Sequence, residues 1–160
     1  MNVNYRTIEE KDNFLIAELI RNVFHEFKIA KTGTVYDDPT TDNLYELFET
    51  PNSKYWIGEI NGEMVGGCGI FPTNGLPVGC GELVKQYLSS NSRGKGIGKE
   101  LINKSINSAK DLGYKQLYLE SFLELENAVG LYIKFGFRYI NTPLGKSGHN
   151  ACTIWMIKDL

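Results

Sequence analysis

The stretch Ser92-Arg93-Gly94-Lys95-Gly96-Ile97-Gly98-Lys99-Glu100 separates a strand-like run, Gly81 to Leu88, from a helix-like run, Ile97 to Leu112. Its three glycines stand at alternate positions, so a backbone free of Cβ atoms can bring consecutive N–H groups onto one anion. A helix that begins directly after the loop adds the positive end of its dipole. The cationic side chains of the stretch are Arg93, Lys95 and Lys99. The stretch therefore predicts a binding loop for a phosphorylated ligand that carries several negative charges.

Two other glycine-rich phosphate-binding motifs do not fit this spacing. A P-loop that ended at Gly98-Lys99 would need glycine where Arg93 stands and serine or threonine where Glu100 stands. The dinucleotide fingerprint Gly-x-Gly-x-x-Gly lacks its third glycine in both registers that the loop allows. What remains is Arg-x-x-Gly-x-Gly, from Arg93 through Gly96 to Gly98. A flexible basic surface turn is the alternative interpretation of the loop alone.

A second pattern lies downstream, at Asn127-Ala128-Val129-Gly130-Leu131-Tyr132-Ile133-Lys134-Phe135-Gly136-Phe137. It looks like the element Asn-x-x-Ala-x-x-Leu-Tyr-x-x-x-Gly-Phe of the GNAT superfamily of N-acetyltransferases, with the spacing between asparagine and alanine altered. The upstream loop resembles the signature with which that family holds the pyrophosphate of acyl-coenzyme A. The two patterns stand in the family's order and separation, and the joint match covers about Glu82 to Tyr139.

The rest of the chain alternates strand-like and helix-like segments. Predicted strands are Val3 to Thr7, Lys54 to Ile60, Glu63 to Phe71, Gly79 to Leu88, Gln116 to Glu120, Phe137 to Asn141 and Ala151 to Lys158; predicted helices are Glu10 to Phe27, Asn43 to Glu49, Ile97 to Leu112 and Asn127 to Phe135. Asn61-Gly62 predicts a type I′ hairpin turn. The strand, loop, helix and strand around the glycine loop predict a parallel crossover.

These elements and the resemblance lead to one expected fold. We expect an α/β fold of the α+β type, with about seven mostly antiparallel strands, a parallel central pair, and about four flanking helices. A length of 160 residues, 42% hydrophobic residues and 22% charged residues are typical of one globular domain, residues 1–160. The net charge of −2 gives no overall basic field, so neither nucleic acid nor a membrane is expected as a partner.

The cysteines and the N-terminus bear on the expected compartment. Cys68, Cys80 and Cys152 form no Cys-x-x-Cys pair and lie in apolar strand-like runs, which predicts buried thiols in a reducing compartment. The N-terminus lacks a basic region followed by an apolar run, and no run approaches the ~18 apolar residues of a membrane span. We therefore expect a cytoplasmic protein. No metal is expected, because His25 has no second histidine or cysteine near it.

The resemblance implies acetyl-coenzyme A as co-substrate and an amine as acceptor. Such a transfer needs a neutral amine, a stabilised oxyanion and a proton for the departing thiolate. Glu82 is the predicted general base, because its position eleven residues before Arg93 is similar to that of the glutamate base in histone-acetylating members of the superfamily. An ordinary charged strand residue is the alternative.

The resemblance also assigns the cofactor contacts. Main-chain groups at Gln86, Tyr87 and Leu88 would bind pantetheine where their strand leaves its neighbour, although nothing in the sequence marks a bulge. Tyr132 would protonate the thiolate, or it is a packed aromatic. Asn127 would hydrogen-bond the cofactor, or it caps its helix. The expected cofactor-binding residues are Gln86, Tyr87, Leu88, Arg93, Gly94, Lys95, Gly96, Ile97, Gly98, Lys99, Asn127 and Tyr132.

The acceptor is the least determined part of the function. It could be a small molecule, or an amine on a peptide or protein, and we expect residues 28–50 and 142–150 to select it. Tyr36, Glu120 and His149 are candidate acceptor-binding residues. Ser147 and His149 do not form a recognisable nucleophile motif, since no Gly-x-Ser-x-Gly elbow is present. A catalytically silent coenzyme A sensor is the rival function, and a homodimer remains open.

Overall fold

Seven strands form one sheet in the computed structural model, which describes residues 1–160. The strands are β1 (Val3–Thr7), β2 (Lys54–Ile60), β3 (Glu63–Phe71), β4 (Cys80–Leu88), β5 (Gln116–Ser121), β6 (Arg138–Ile140) and β7 (Ile154–Asp159). Their spatial order is β1-β2-β3-β4-β5-β7-β6, and every neighbouring pair is antiparallel except β4 and β5. The predicted mixed sheet with a parallel central pair is confirmed.

Four helices cover the two faces of this sheet. They are α1 (Asn13–Phe27), α2 (Leu44–Leu47), α3 (Ile97–Asp111) and α4 (Glu126–Lys134). Apolar side chains of α1 and α2 form one core, and those of α3 and α4 form the other. We call the two sides of the sheet the α1 face and the α3 face. Each face buries the apolar stripe of a long amphipathic helix, which is why the helical spacing in the sequence was informative.

The segment before α2 differs from its prediction. The sequence predicts a helix from Asn43 with Thr41-Asp42 as its cap, but the structure has a 3-10 turn over Pro39–Asn43 followed by a single α-helical turn. Thr41 is buried, and its hydroxyl donates to the carbonyl of Val35 at 2.6 Å. Asp38 caps the turn instead, since its Oδ1 accepts from the main-chain N–H of Thr40 at 2.9 Å.

The two hairpin predictions have different outcomes. Asn61 and Gly62 have φ angles of 51° and 83°, as a type I′ turn requires, and β2 and β3 pair antiparallel on either side of them. The sequence also predicts that the last strand, Ala151 to Lys158, pairs antiparallel with the strand Phe137 to Asn141. β7 does pair in this way with β6, but it also pairs with β5 along its whole length. The last strand therefore lies inside the sheet, and β6 forms the edge, where Arg138 and Tyr139 are exposed.

The cysteines follow their prediction only in part. Cys68 and Cys80 are buried in β3 and β4, whereas Cys152 is half-buried in the loop before β7 and not in a strand. The strand begins later than expected because pairing with β5 starts at Ile154. None of the helices is both long enough and apolar enough to cross a bilayer.

Candidate active site

The parallel pair at the centre of the sheet separates soon after it begins. β4 and β5 pair only from Cys80 to Glu82 on β4, although β4 continues to Leu88 and β5 continues to Ser121. Beyond Glu82, the edge of β4 that faces β5 therefore has no ladder partner. Unpaired main-chain N–H and C=O groups beside a parallel strand pair are available to a ligand.

A β-bulge occurs on the other side of β4 at the same level. Gly67 of β3 pairs with Tyr87, and Gly69 pairs with Val84, so the two residues Lys85 and Gln86 stand opposite one residue of β3. Lys85 has a φ of 54°, a left-handed conformation that few non-glycine residues adopt. This bulge is the irregularity that the sequence did not mark.

The fully buried ring of Tyr55 holds the bulge in place. Its hydroxyl donates to the carbonyl of Lys85 at 2.7 Å. Gly67 and Gly69 leave space for the ring, because a Cβ would lie 2.4 Å from Tyr55 Cε1 at Gly67 and 2.6 Å from Tyr55 Cδ2 at Gly69. Small residues on β3 and a tyrosine on β2 thus together determine the backbone of β4.

The glycine loop presents a run of free main-chain donors. None of the N–H groups from Arg93 to Lys99 donates to a protein acceptor, and the first hydrogen bond of α3 runs from the N–H of Glu100 to the carbonyl of Gly96 at 3.1 Å. Seven consecutive free amides at the start of a helix form an anion-binding site. These free amides lie at the residues that are expected to bind phosphate, and phosphate binding itself stays a prediction.

The three glycines of the loop have two different roles. Gly94 and Gly96 have φ angles of 75° and 80°, and a Cβ on either would meet no atom within 4 Å, so they are required for backbone conformation. Gly98 is required for close packing, because a Cβ there would lie 3.0 Å from Leu88 Cδ1 and 3.1 Å from Gln86 Nε2. The start of α3 thereby approaches the end of β4.

The cationic side chains of the loop differ in how far they are already bound to protein acceptors. The Arg93 guanidinium pairs with the carboxylate of Glu26 on α1, and its Nη2 also donates to the carbonyl of Leu88 at 2.8 Å. Lys95 Nζ donates to the carbonyl of Asn91 at 2.8 Å, whereas Lys99 is exposed and has no protein partner. The Arg93 side chain therefore ties the loop to α1, and its contribution to anion binding rests on its main-chain amide.

A cavity of about 240 Å³ opens on the α1 face beside β4. Its polar side chains come from five separate parts of the chain, and they include Asp38 before α2, Thr73 between β3 and β4, Glu82 and Lys85 on β4, Glu120 on β5, and Ser147 and His149 before β7. The segments expected to select the acceptor, residues 28–50 and 142–150, thus both line this cavity. No group of three or more His, Cys, Asp or Glu side chains is arranged to hold a metal ion.

Glu82 is the most perturbed carboxyl group of the cavity. The residue is 5% exposed, and the hydroxyl of Thr73 donates to its Oε1 at 2.6 Å. Burial, reinforced by the nearby charge of Glu120, raises the pKa of Glu82 to about 7, against the opposing effects of Thr73 and Lys85. Its Oε2 has no protein partner. A carboxyl group that titrates near neutrality suits a general base.

The other two carboxylates of the cavity hold loops in place. Glu120 accepts from the hydroxyl of Tyr118 at 2.6 Å and from that of Ser147 at 2.7 Å, one on each oxygen. Asp38 Oδ2 lies 2.8 Å from His149 Nε2, while Oδ1 accepts from Thr40. Both candidate residues Glu120 and His149 are therefore brought to the cavity, where they join the loop before β7 to the rest of the wall.

Two further sequence proposals are resolved by geometry. Ser147 and His149 interact only through the main-chain N–H of His149, which donates to Ser147 Oγ at 3.1 Å, so they form no nucleophilic pair. Tyr36 is not brought to the cavity. Its hydroxyl lies 3.2 Å from Nε2 of His25, and its ring packs against α1.

Tyr132 and Asn127 lie on α4, whose Leu131 approaches the start of α3, since a Cβ at Gly98 would lie 3.9 Å from Leu131 Cδ2. Tyr132 is 6% exposed, its ring contacts Phe137 edge to face, and its hydroxyl makes no hydrogen bond within the protein. Burial raises the pKa of Tyr132 well above its ordinary value, so the phenol keeps its proton at neutral pH. Asn127 is exposed and does not cap α4, whose cap position is occupied by Leu125. The capping alternative for Asn127 is therefore wrong.

The sequence analysis missed Lys85 and predicted no role for the side chain of Gln86. Lys85 lines the cavity because of the bulge, and the sequence around it gives no signal of one. Gln86 was expected to contribute its main chain only, but its side chain lies against the position of Gly98, and its Oε1 is sealed from solvent without a hydrogen-bond partner. Such an orphaned acceptor beside the loop suits a ligand that donates to it.

Comparisons with known proteins identify the family of this chain. The model of the acetyltransferase (GNAT) family matches residues 19–137. The uncharacterized N-acetyltransferase YjgM of Escherichia coli is 38% identical over 156 residues, which cover 97% of this chain and 93% of that protein. A GNAT acetyltransferase from Staphylococcus aureus superposes with a TM-score of 0.86 at 22% identity over 99% of both chains. The PaiA N-acetyltransferase of Thermoplasma acidophilum, solved in complex with coenzyme A, superposes with a TM-score of 0.80 at 16% identity over 100% of both chains. The chain therefore belongs to the GNAT family of acetyltransferases and is an acyltransferase.

Proposed function

We propose that this protein transfers the acetyl group of acetyl-coenzyme A directly to a primary amine bound in the cavity beside Glu82. The observation that carries this proposal is the position of β4. Its free edge leads from Glu82 to the loop of seven unpartnered amides, and so connects an acceptor cavity with an anion-binding site. Transfer without a covalent enzyme intermediate needs both substrates at one such junction.

The residues present fit the cofactor. The amides from Arg93 to Lys99 would hold its pyrophosphate, with Lys99 as a nearby unpaired cation. The free edge of β4 from Gln86 to Leu88 would hydrogen-bond the pantetheine amides, as the structural likeness to a protein solved with coenzyme A supports. When bound, the cofactor supplies an acetyl group activated as a thioester.

Glu82 is suited to prepare the acceptor. An amine enters the cavity mostly as an ammonium ion at neutral pH, and it must lose a proton before it can attack a carbonyl carbon. Glu82 Oε2 has no protein partner, and a pKa of about 7 lets the carboxylate accept a proton directly or through one water. Thr73 keeps the other oxygen fixed, which orients the base.

Tyr132 is suited to the opposite proton transfer. A tyrosine phenol keeps its proton at neutral pH, burial raises the pKa of Tyr132 further, and its hydroxyl has no protein acceptor. This free phenol would give its proton to the departing thiolate. The carbonyl oxygen that gains negative charge during transfer would be met by a main-chain N–H of β4 beyond the bulge.

The proposed function is tested with a panel of primary amines and acetyl-coenzyme A, by following free thiol release. At least one amine should accelerate thiol release well above the rate without acceptor, and mass spectrometry should find that amine heavier by one acetyl group. Calorimetric titration with coenzyme A is the companion measurement. Binding without any amine-dependent turnover would favour the rival function of a coenzyme A sensor, and absence of binding would contradict both.

A further inference from the structure

The polar groups of the acceptor cavity differ in whether they already have hydrogen-bond partners in the protein. Asp38 and Glu120 each have both carboxylate oxygens in hydrogen bonds with the protein. Glu82 has one oxygen bound by Thr73. The ammonium group of Lys85 has no hydrogen bond and no carboxylate within 4 Å. Glu82 Oε2 and the ammonium groups of Lys85 and Lys146 are thus left for a ligand, and of the two lysines only Lys85 is partly buried.

The bulge of β4 is what places Lys85 in the cavity. Consecutive residues of a regular strand point to opposite faces of the sheet. Lys85 is the extra residue of the bulge, and it lines the cavity close enough to Glu82 and Asp38 for their charges to act on its ammonium group. Its backbone is held at a φ of 54° by the hydrogen bond from Tyr55. A strained conformation that a buried tyrosine enforces next to a catalytic base points to a role for the side chain.

The unpaired ammonium of Lys85 lowers the stability of the folded protein at this partly buried position. Lys85 is only partly exposed, and burial lowers its pKa, while the charges of Glu82 and Asp38 act to keep the proton on. A partly buried charge without an ion-pair partner destabilises a folded protein unless a bound partner compensates it. Lys146, the other lysine at the cavity, is exposed and has no such cost.

We infer that the amine acceptor is a small amino acid-like molecule that carries a carboxylate, with its amine facing Glu82 and its carboxylate paired with Lys85. This inference rests on the proposed function and names its substrate class. The cavity volume of about 240 Å³ lies below the ~300–1,000 Å³ of sites for drug-sized ligands, which favours a free amino acid over a larger amine. Lys85 is then a specificity-determining residue that distinguishes a zwitterion from a simple amine.

The test compares each common amino acid with its own carboxamide as acceptor, at a fixed concentration of acetyl-coenzyme A. The amide of each pair lacks the anionic group and has a less basic amine, so recognition of the carboxylate is measured by how far a substitution at Lys85 changes the ratio of the two kcat/KM values. For the wild type we expect a preference for the acid of tenfold or more in the best pair. Peptides with a blocked C-terminus and an acidic side chain test whether the carboxylate can come from a peptide, and we expect them to be poor acceptors.

The Lys85→Met variant should reduce the acid-to-amide ratio to less than threefold, and Lys85→Arg should keep most of it. Methionine is matched in length and is unbranched, so it places no greater demand on the left-handed backbone than lysine does. Lys110→Met is the control, because Lys110 is exposed on α3 outside the cavity, and it should leave the ratio unchanged. Circular dichroism checks that each variant folds; if Lys85→Met does not, Lys85→Gln replaces it.

The outcomes separate this inference from the proposed function. Equal use of acids and amides by the wild type, or a preference that survives in Lys85→Met, would overturn the inference and leave acetyl transfer intact. Transfer only to amines without an anionic group would overturn it as well. Coenzyme A binding with no transfer to any amine would contradict the proposed function itself.

Discussion

The cofactor loop and the acceptor cavity are built in opposite ways. The loop uses seven consecutive main-chain amides, from Arg93 to Lys99, at the start of one helix. The cavity uses side chains from distant parts of the chain, and the contact between Asp38 and His149 joins residues 111 positions apart. Main-chain recognition tolerates a change of side chains, whereas side-chain recognition does not. The proposed cofactor site therefore depends on backbone conformation, and the proposed acceptor site depends on individual residues.

The largest effect is expected from Glu82→Gln, which alters the cavity and leaves the loop intact. Loss of the general base should lower kcat/KM for the acceptor by roughly 10²- to 10⁴-fold, while the Kd for coenzyme A stays within about twofold. Stopped assays of thiol release and calorimetry measure the two quantities. A variant that retains wild-type turnover would show that Glu82 is an ordinary strand residue.

The pH profile of the wild type sharpens this prediction. Only deprotonated Glu82 can accept a proton, so kcat/KM should rise with pH and level off above a midpoint near pH 7, where Glu82 titrates. Glu82→Gln should lose this inflection. A wild-type profile that falls as pH rises through 7 would have the wrong sign for a general base.

A smaller effect is expected from Tyr132→Phe, which removes only the phenol hydroxyl on α4. We expect kcat to fall about 10- to 100-fold, because the thiolate must then take its proton from water, and cofactor affinity to change little. The ring still packs on Phe137, so the melting temperature should hold. Unchanged turnover would leave Tyr132 as a packed aromatic only.

The smallest effect is expected from Gly96→Ala, which alters the loop and leaves the cavity intact. A Cβ at a φ of 80° costs about 1–2 kcal/mol of backbone strain, so the Kd for coenzyme A should rise by about 5- to 30-fold as the loop relaxes. Gly113→Ala is a matched control, since Gly113 also has a positive φ and open space around it but ends α3. Gly113→Ala should lower the melting temperature to a similar extent without weakening the binding of coenzyme A. Equal effects of both variants on Kd would argue against specific binding by the loop.

The same contrast explains what the sequence could predict. The glycine loop, the Asn61-Gly62 turn and the long helices depend on local residue patterns, and they were predicted within a few residues. The bulge at Lys85 was not, because it depends on Tyr55 from β2 and on two glycines of β3. The partner of Arg93 was not predicted either, since Glu26 lies 67 positions away.

The acceptor cavity shows the limit of local patterns most clearly. The position of Glu82 eleven residues before Arg93 predicts its role as a base, but its raised pKa follows from burial, which only the fold shows. Tyr36 was named with the loop before α2, but side chains in a loop point where packing allows, and Tyr36 packs on α1 while Asp38 reaches the cavity. Position in a motif was enough to propose the cofactor site, whereas the proposed acceptor site could be described only from the fold.

Amide hydrogen exchange is the most direct test of whether the loop amides bind coenzyme A. The N–H groups from Arg93 to Lys99 have no protein acceptor, so in the free protein they should exchange at close to unprotected rates. Saturating coenzyme A should slow several of them by tenfold or more, and the amides of Leu112 and Gly113, at the other end of the 15-residue helix α3, should not change. Binding of coenzyme A that leaves the exchange of all seven loop amides unaltered would contradict the account.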